Sequence, residues 1–268
     1  PNKVEKLAYL YGPTYYTLKV KMCGISKVET IPAVVEAKPD YMGLVFAPSK
    51  RQVTVDQAKT LVEELHKQYG NRYSREEVQC SNDVVQDGAV IGDAHEGTLT
   101  STENASPTLI HQEAIKTVGV FVNETLENLV TIATEVNLDV VQLHGDEDEA
   151  FIQSLKERTN VEVWKAVQIR SAADAEAWID SSADMLLFDA YHKDERGGTG
   201  EVFDWSCLDE FERPFMLAGG IDSTNVARAI RTVRPYGIDI SSGIETDGVK
   251  DDEKIKAFTN IVRTIAMP

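Results

Sequence analysis

The sequence has few cysteines and no long apolar run, and each shortage excludes classes of protein. Its three cysteines, Cys23, Cys80 and Cys207, are scattered and odd in number, so they predict no disulfide framework and indicate a reducing compartment. No stretch approaches the ~18 apolar residues that cross a bilayer, and the first residues lack the apolar core of a secretory signal. We therefore expect a cytoplasmic protein without a membrane anchor.

Positive charge is also scarce. The 268 residues include 27 Lys and Arg against 44 Asp and Glu, which gives a net charge of −17 at pH 7. A surface this acidic repels phosphate backbones and anionic lipids, which argues against nucleic-acid or membrane partners. The charge is spread along the chain, where its simplest effect is solubility. An anionic substrate would require a site that gathers several hydrogen-bond donors locally.

The chain does have a regular alternation of short apolar runs and amphipathic stretches. Most apolar runs lack a period of two, as expected of parallel strands buried on both faces. The eight predicted strands are Lys19–Cys23, Tyr41–Phe46, Thr117–Val122, Leu138–Leu143, Glu162–Val167, Asp184–Asp189, Pro214–Ala218 and Gly237–Ser241. Helical periodicity lies between them at Thr54–Gln68, Glu124–Val136, Glu147–Arg158, Ala172–Ile179, Asp222–Val233 and Asp251–Ile265.

Eight βα units predict an α/β fold of the (β/α)8 TIM-barrel type, formed as one domain by residues 18–268 after an N-terminal extension, residues 1–17. The alternative is an open doubly wound sheet, which shares the alternation. That fold commonly carries G-x-G-x-x-G after its first strand. Here the first strand ends in Cys23-Gly24-Ile25, so we favour the barrel.

One connection is longer than the others. Tyr69–Glu113 is polar, rich in Gly, Ser, Thr, Asn and Asp, and lacks sustained periodicity. We interpret it as an insertion before the third strand, where Asp87-Gly88 would suit a small hairpin, although an irregular excursion fits as well. A connection that enters a strand emerges at the amino-terminal face of a barrel, so the insertion should lie opposite the active site.

Three side chains at predicted strand ends are candidates for chemistry, because barrel active sites lie at the carboxyl ends of strands. Cys23 ends the first strand and is either a small buried apolar residue or, with a lowered pKa, a base or nucleophile. Asp189 ends the sixth strand after four apolar residues, and a helix cap is the alternative role, although no helical pattern starts directly after it. Arg51, after the second strand, is either solvated or suited to bind a carboxylate.

Two further patterns lie near these strand ends. The charged loop after the sixth strand contains Gly197, Gly198 and Gly200, which are either turn residues or part of a loop that closes over a ligand. The fourth strand ends with Gln142 and His144, whose spacing directs both side chains to the barrel interior or its mouth. A satisfied buried histidine and a catalytic one are both consistent with this position.

The last two strands end in patterns typical of phosphate binding. Gly219 and Gly220 follow the seventh strand, and Ser241, Ser242 and Gly243 follow the eighth. Backbone N–H groups exposed by glycine or at a helix start can cradle a phosphate, and barrels often bind phosphate in these two loops. The sequence therefore predicts a phosphate site here, with simple structural turns as the alternative.

Nine strings in order along the chain together resemble the phosphoribosylanthranilate isomerase family of tryptophan biosynthesis. They are KVKMCGI, MGLVFAPSKRQV, VGVFVN, LDVVQLHGDE, LLFDA, GGTGEVFDW, FMLAGGI, NVARAI and GIDISSGIETDGVKD. The resemblance runs from about Leu18 to the C-terminus, except for the insertion, which is not typical of the family. It implies a phosphorylated small-molecule substrate and a monomer or homodimer.

The resemblance implies an Amadori rearrangement of N-(5-phosphoribosyl)anthranilate to 1-(2-carboxyphenylamino)-1-deoxyribulose 5-phosphate. Asp189 would protonate the furanose ring oxygen as general acid, and Cys23, as a thiolate, would take the proton from C2. Such a pair requires a carboxyl group with a raised pKa and a thiol with a lowered pKa. No metal or organic cofactor is implied, because the anthranilate nitrogen is itself the electron sink.

The resemblance also implies how the substrate is bound. Arg51 would hold the anthranilate carboxylate and the last two loops the phosphate, with Gln142, His144 and Asp239 as further substrate contacts. One alternative is another phosphoribosyl barrel isomerase, the ProFAR isomerase of histidine biosynthesis or its dual-substrate relative. Those use two aspartates, whereas this chain has Cys23 in the first position. A non-catalytic barrel that binds a phosphorylated ligand is the other alternative, against which the acid–base pair argues.

Overall fold

The computed structural model describes residues 17–82, 114–190 and 204–265. Its eight main strands are β1 (Lys19–Cys23), β2 (Tyr41–Val45), β3 (Lys116–Phe121), β4 (Val140–Leu143), β5 (Glu162–Gln168), β6 (Met185–Asp189), β7 (Phe215–Ala218) and β8 (Gly237–Ile240). They form a closed barrel in which each strand pairs in parallel with the next and β8 pairs with β1. The predicted barrel is confirmed, and the closure between β1 and β8 excludes the open sheet.

Helices surround this barrel. They are α1 (Ile31–Ala37), α2 (Val55–Asn82), α3 (Leu126–Val136), α4 (Glu149–Arg158), α5 (Ala172–Glu176), α6 (Val226–Val233) and α7 (Asp252–Thr264). After β8, a 3-10 turn (Ser242–Ile244) leads into a short antiparallel pair, β9 (Glu245–Thr246) and β10 (Val249–Lys250). Within the described ranges, no helix is both long and apolar enough to cross a membrane.

The strands are buried on two faces, which explains their continuous apolar sequences. One face packs against the helices in the main core. The other faces the barrel lumen, where an apolar layer is formed by Tyr41, Val118, Val140, Trp164, Ala166, Leu187, Met216 and Ala218. Side chains alternate along a strand. Val20 and Met22 of β1 join the outer core, so Lys21 and Cys23 point into the lumen.

The largest departure from the sequence prediction is the length of α2. The helix predicted to end at Gln68 continues to Asn82, so the first part of the predicted insertion Tyr69–Glu113 is helical. Gly70 is the one helix-breaking residue in that part, at a cost of ~1 kcal/mol relative to Ala, and the residues after it include helix-favouring Arg, Glu and Gln. The Asp87-Gly88 hairpin and most of the N-terminal extension lie outside the described residues.

Smaller differences occur at α6 and α1. Helix α6 begins at Val226 rather than Asp222, because the Asp222 carboxylate accepts hydrogen bonds from the backbone N–H groups of Thr224 and Asn225 and holds a turn there. Helix α1 was not predicted, since its seven residues are too few for a periodic signal. Neither difference moves a strand end, so the predicted site residues keep their place at the carboxyl ends.

Candidate active site

A cavity of about 570 Å³ opens at the carboxyl ends of the strands. Ten of the eleven predicted site residues line it, namely Cys23, Arg51, Gln142, His144, Asp189, Gly219, Gly220, Asp239, Ser241 and Ser242. The eleventh, Gly243, directly follows two of them in the loop after β8. The structure therefore brings the predicted residues together at the face where barrels carry their active sites.

Asp189 lies at the end of β6 and contacts a histidine from β4. Nε2 of His144 is 3.3 Å from a carboxylate oxygen of Asp189, and Nδ1 of the same ring is 3.1 Å from Nε2 of Gln142. The imidazole ring therefore lies between the Gln142 amide and the Asp189 carboxylate. The Asp189 side chain is 26% exposed, so the cavity gives access to it. Gln142 and His144 thus orient the carboxyl group.

Cys23 is buried at the end of β1, which β7 and β8 separate from β6. Burial raises the pKa of its thiol, while the ammonium group of Lys21 lowers it, the Asp239 carboxylate raises it and the Lys250 ammonium lowers it. The net direction is a raised pKa. This is opposite to the lowered thiol pKa that the implied mechanism requires, because the loss of hydration outweighs the attraction of the two cations.

An ion pair lies inside the lumen next to this thiol. Nζ of Lys21 donates to Oδ2 of Asp239 at 2.9 Å, and the two residues are directly paired between β1 and β8. Burial lowers the pKa of Lys21, but Asp239 and Cys23 outweigh burial, so the pKa is raised and the ammonium group stays charged. Among the described residues, Oδ1 of Asp239 and Oε1 of Gln142 are buried without a hydrogen-bond partner. Unpaired buried acceptors that line a cavity point to a ligand that donates.

Arg51, the predicted carboxylate binder, is paired with a carboxylate of the protein itself. Its Nε and Nη2 contact the two oxygens of Glu245 at 2.6 and 3.1 Å, in the bidentate geometry typical of arginine. Lys50 and Lys250 contact the same carboxylate at 3.1 and 3.0 Å. Burial raises the pKa of Glu245, but hydrogen bonds from these three cations lower it to about 2. Arg51 is therefore held firmly at the cavity wall, with Nη1 outside this pairing.

Glycine after the cysteine makes room for that arginine. Gly24 has a φ of +79°, and a Cβ at this position would collide with Cδ of Arg51. The hydroxyl of Ser241 donates to the carbonyl oxygen of Cys23 at 3.1 Å, which ties the loop after β8 to the end of β1. The sequence Cys23-Gly24 thus fixes the thiol and admits Arg51 beside it.

The two predicted phosphate loops lie side by side. Gly243 packs so closely on the carbonyl oxygen of Ile221 that a Cβ would collide with it, which explains glycine at this position. In the loop after β7, Nδ2 of Asn225 donates to the carbonyl oxygen of Gly220 at 2.7 Å. The loops after β7 and β8 therefore form one wall of the cavity, at the place where barrels often bind phosphate.

Sequence reasoning missed Lys21, Glu245 and Lys250. The sequence could have identified Lys21, because a lysine within a buried strand, two residues before Cys23, must point the same way as the thiol. Nothing in the sequence indicated Glu245 and Lys250. They face each other across β9 and β10, and these two-residue strands are too short to produce a recognisable pattern.

Some predictions cannot be placed at the site. The loop with Gly197, Gly198 and Gly200 and the side chain of Cys80 lie outside the described residues. Cys207 is half-buried in a 3-10 turn (Trp205–Leu208) and does not line the cavity.

Comparison with known proteins gives consistent matches. A family model described as N-(5'phosphoribosyl)anthranilate (PRA) isomerase matches residues 74–261. The N-(5'-phosphoribosyl)anthranilate isomerase of Thermoanaerobacter sp. (strain X514) is 40% identical over 250 residues, which cover 92% of this chain and 99% of that protein. The crystal structure of phosphoribosyl anthranilate isomerase from Thermotoga maritima has a TM-score of 0.66 and 30% identity, covering 91% of this chain and 98% of that one. A phosphoribosyl anthranilate isomerase in complex with reduced 1-(o-carboxyphenylamino)-1-deoxyribulose 5-phosphate has a TM-score of 0.64 and 28% identity, with 91% and 98% covered.

Proposed function

The chain belongs to the N-(5'-phosphoribosyl)anthranilate isomerase family, and we propose that its cavity carries out that family's reaction through Cys23 and Asp189. The protein is an isomerase of tryptophan biosynthesis that converts the aldose N-(5'-phosphoribosyl)anthranilate into the ketose 1-(2-carboxyphenylamino)-1-deoxyribulose 5-phosphate. The observation that carries the assignment of residues is that one thiol and one carboxyl group, from β1 and β6, line the same cavity.

Asp189 is the general acid of the first step. It gives a proton to the furanose ring oxygen while the nitrogen lone pair forms a C1=N bond and the C1–O bond breaks. The products of this step are a protonated open-chain Schiff base, whose nitrogen keeps its hydrogen, and an aspartate carboxylate. The contact with His144, 3.3 Å away, supports this role because it holds the carboxyl group in one orientation at the cavity.

Cys23 is the base of the second step. Its thiolate takes the proton from C2, the C2–H electron pair forms a C1=C2 bond, and the C=N pair returns to nitrogen. The resulting enolamine becomes the ketone when a proton moves from O2 to C1. The enzyme is restored when Cys23 gives its proton to solvent and Asp189 takes one up from solvent, so atoms and electrons balance over the whole cycle. The position of Cys23 on the lumen side of β1, next to the Lys21 ammonium group, supports this role.

The two anionic ends of the substrate are bound at separate parts of the cavity. Arg51 binds the anthranilate carboxylate through Nη1, while Glu245 fixes the rest of the guanidinium group. The phosphate binds at the loops after β7 and β8, which provide Gly219, Gly220, Ser241, Ser242 and Gly243. The unpaired oxygens of Gln142 and Asp239 accept hydrogen bonds from the sugar hydroxyls, beside His144.

Location, assembly and boundaries remain predictions. We propose a cytoplasmic monomer or homodimer without nucleic-acid or membrane partners, for which the net charge of −17 is one support. The free thiols of Cys23 and Cys207 support a reducing compartment. An N-terminal extension at residues 1–17 and an insertion within 69–113 remain part of the same proposal.

The test is a fluorescence assay on the purified chain. Anthranilate fluorescence of the substrate should disappear when the protein is added, whereas ProFAR, supplied in parallel, should remain unchanged. A Cys23→Ala variant should lose the activity, and a Cys207→Ala variant, altered outside the cavity, should keep it. Turnover of ProFAR alone, or equal loss of activity in both cysteine variants, would contradict the proposal.

A further inference from the structure

Lys21 is completely buried in the barrel, and neither proton transfer uses it. Burial of an ammonium group is costly unless the charge is paired. Its Nζ donates to Oδ2 of Asp239 at 2.9 Å, and its side chain shares the lumen face of β1 with Cys23. The positive charge of Lys21 lowers the pKa of the Cys23 thiol. The ammonium group therefore acts on a carboxylate, to which it is hydrogen-bonded, and on a thiol on the same face of the strand.

The other cations near the thiol are held by a different carboxylate, that of Glu245. Lys250, on β10, has a smaller effect on the thiol than Lys21, and its Nζ is held by Glu245 at 3.0 Å and by the carbonyl oxygen of Ser241 at 2.7 Å. Arg51 is bound by the same glutamate. On β2, the residue against the sulfur is Gly43, which carries no charge. Lys21 is thus the cation with the largest effect on the thiol, and it shares the lumen face of β1 with the sulfur.

We propose that Lys21 is a positioning residue whose ammonium group is the counter-ion of the Cys23 thiolate, and that Asp239 weakens this effect by sharing the same ammonium group. The thiol proton leaves to solvent through the cavity, the sulfur keeps the electron pair, and Lys21 stays protonated throughout. Burial raises the pKa of the thiol, and this cation has the largest of the effects that lower it. The inference rests on the proposed role of Cys23 as the base, so its test measures the thiol itself.

The arrangement predicts opposite effects of two substitutions. Lys21→Met removes the cation but keeps a side chain of similar length, so it should raise the pKa of the Cys23 thiol. Asp239→Asn removes the competing carboxylate and leaves Lys21 to the sulfur, so it should lower the pKa. Lys21→Arg keeps the positive charge, so the pKa of the Cys23 thiol should stay close to its wild-type value.

The thiol pKa is measured on the purified full chain in a Cys80→Ser/Cys207→Ser background. The readouts are the ultraviolet absorbance of the thiolate and the pH dependence of alkylation by iodoacetamide. At neutral pH, alkylation of the Lys21→Met protein should be slower by about tenfold or more, as expected when a nearby opposite charge is removed. The rising limb of kcat/KM against pH should move to higher pH by the same amount.

Two outcomes would overturn the proposed role of Lys21, and a third would overturn its premise, which is that Cys23 is the catalytic base. An unchanged thiol pKa in both variants would overturn the inference and leave the proposed reaction intact. A lower pKa in both variants would also overturn it, because general loosening hydrates the thiol whichever charge is removed. Full activity of Cys23→Ala would refute the proposed function, whatever the thiol pKa.

Each single variant leaves one buried charge without its partner, and such changes can unfold a protein. The double variant Lys21→Met/Asp239→Asn removes both charges at nearly constant volume and keeps the test decisive. The effect of Lys21 on the thiol outweighs that of Asp239, so the double variant should alkylate more slowly than wild type. Alkylation as fast as wild type, or faster, would overturn the inference.

Discussion

The two ends of the barrel use carboxylates in opposite ways. At the amino-terminal end, Asp40, Asp139 and Asp184 each precede an even-numbered strand and accept a hydrogen bond from the backbone of the strand before it. The donors are the N–H groups of Val20, Thr117 and Val163, at 2.8, 2.7 and 2.8 Å. At the carboxyl-terminal end, Asp239 keeps one buried oxygen without a partner among the described residues.

This difference separates stability from function. The aspartates at the amino-terminal end satisfy backbone groups and fix the register of neighbouring strands, which is a structural task. The carboxyl-terminal end leaves polar atoms unpaired at a cavity, which costs stability unless a ligand uses them. Substitutions at the two ends should therefore change different measured quantities.

The largest effect should come from the acid–base pair. Cys23→Ala and Asp189→Asn should each lower turnover by ~10²–10⁴-fold, the usual contribution of a general acid or base. Unfolding of both variants should remain cooperative, because the two residues lie at the functional end. Turnover is followed by fluorescence and unfolding by circular dichroism. A near-normal rate for Cys23→Ala would refute the assignment of the base.

Glu245 is an exception to this difference between the two ends. It lies at the carboxyl-terminal end, but both of its carboxylate oxygens are paired with cations of the protein. Glu245→Gln should raise KM more than it lowers kcat, since Arg51 loses its bidentate partner. A folded-state pKa of about 2, against the ordinary 4.5, corresponds to about 3 kcal/mol of stability at neutral pH. This group's contribution is present above about pH 4.5 and is lost as the pH falls towards 2.

Denaturant titrations of wild type and Glu245→Gln at several pH values measure that contribution. The difference in unfolding free energy should be constant near neutral pH and shrink in acid. A difference that does not depend on pH would show that the carboxylate charge is not what holds the cluster together.

The amino-terminal end should show the reverse pattern. Asp139→Ala removes the acceptor of both the backbone N–H and the hydroxyl of buried Thr117, so it should cost ~1–3 kcal/mol of stability. Turnover at a temperature where the variant is folded should stay within a few-fold of wild type. Asp180→Ala, at an exposed position, is the matched control and should change stability by less than ~0.5 kcal/mol. Loss of turnover without loss of stability would remove the distinction between the two ends.

The smallest effect should come from the long connection before β3. Tyr69 packs against the core, so the deletion should keep it and join it to Ala114 through a short Gly/Ser linker. Loop length has little effect on closure entropy, and this connection enters a strand at the amino-terminal end. Turnover should remain within a few-fold of wild type, with cooperative unfolding. A folded but inactive deletion protein would show that the segment serves the active site or an active dimer.

The same comparison explains how much the sequence could predict. The strands were predictable because burial on two faces produces apolar runs. Most cavity residues were predictable because they lie at or just after the carboxyl ends of those runs. The pairing of Lys21 with Asp239 was not, since it depends on the register between the first and last strands, 218 residues apart. The contact of Arg51 with Glu245 likewise depends on two loops meeting, which local patterns do not encode.

The assignment of Cys23 as base and Asp189 as acid is tested most directly by an isotope effect. Wild type, Cys23→Ser and Asp189→Asn are compared on substrate carrying deuterium or hydrogen at C2, in single turnovers followed by fluorescence. With a weaker base, removal of the C2 proton should limit the rate, so Cys23→Ser should show a primary isotope effect. Asp189→Asn should slow ring opening instead and show little or none. An isotope effect confined to Asp189→Asn would contradict the account.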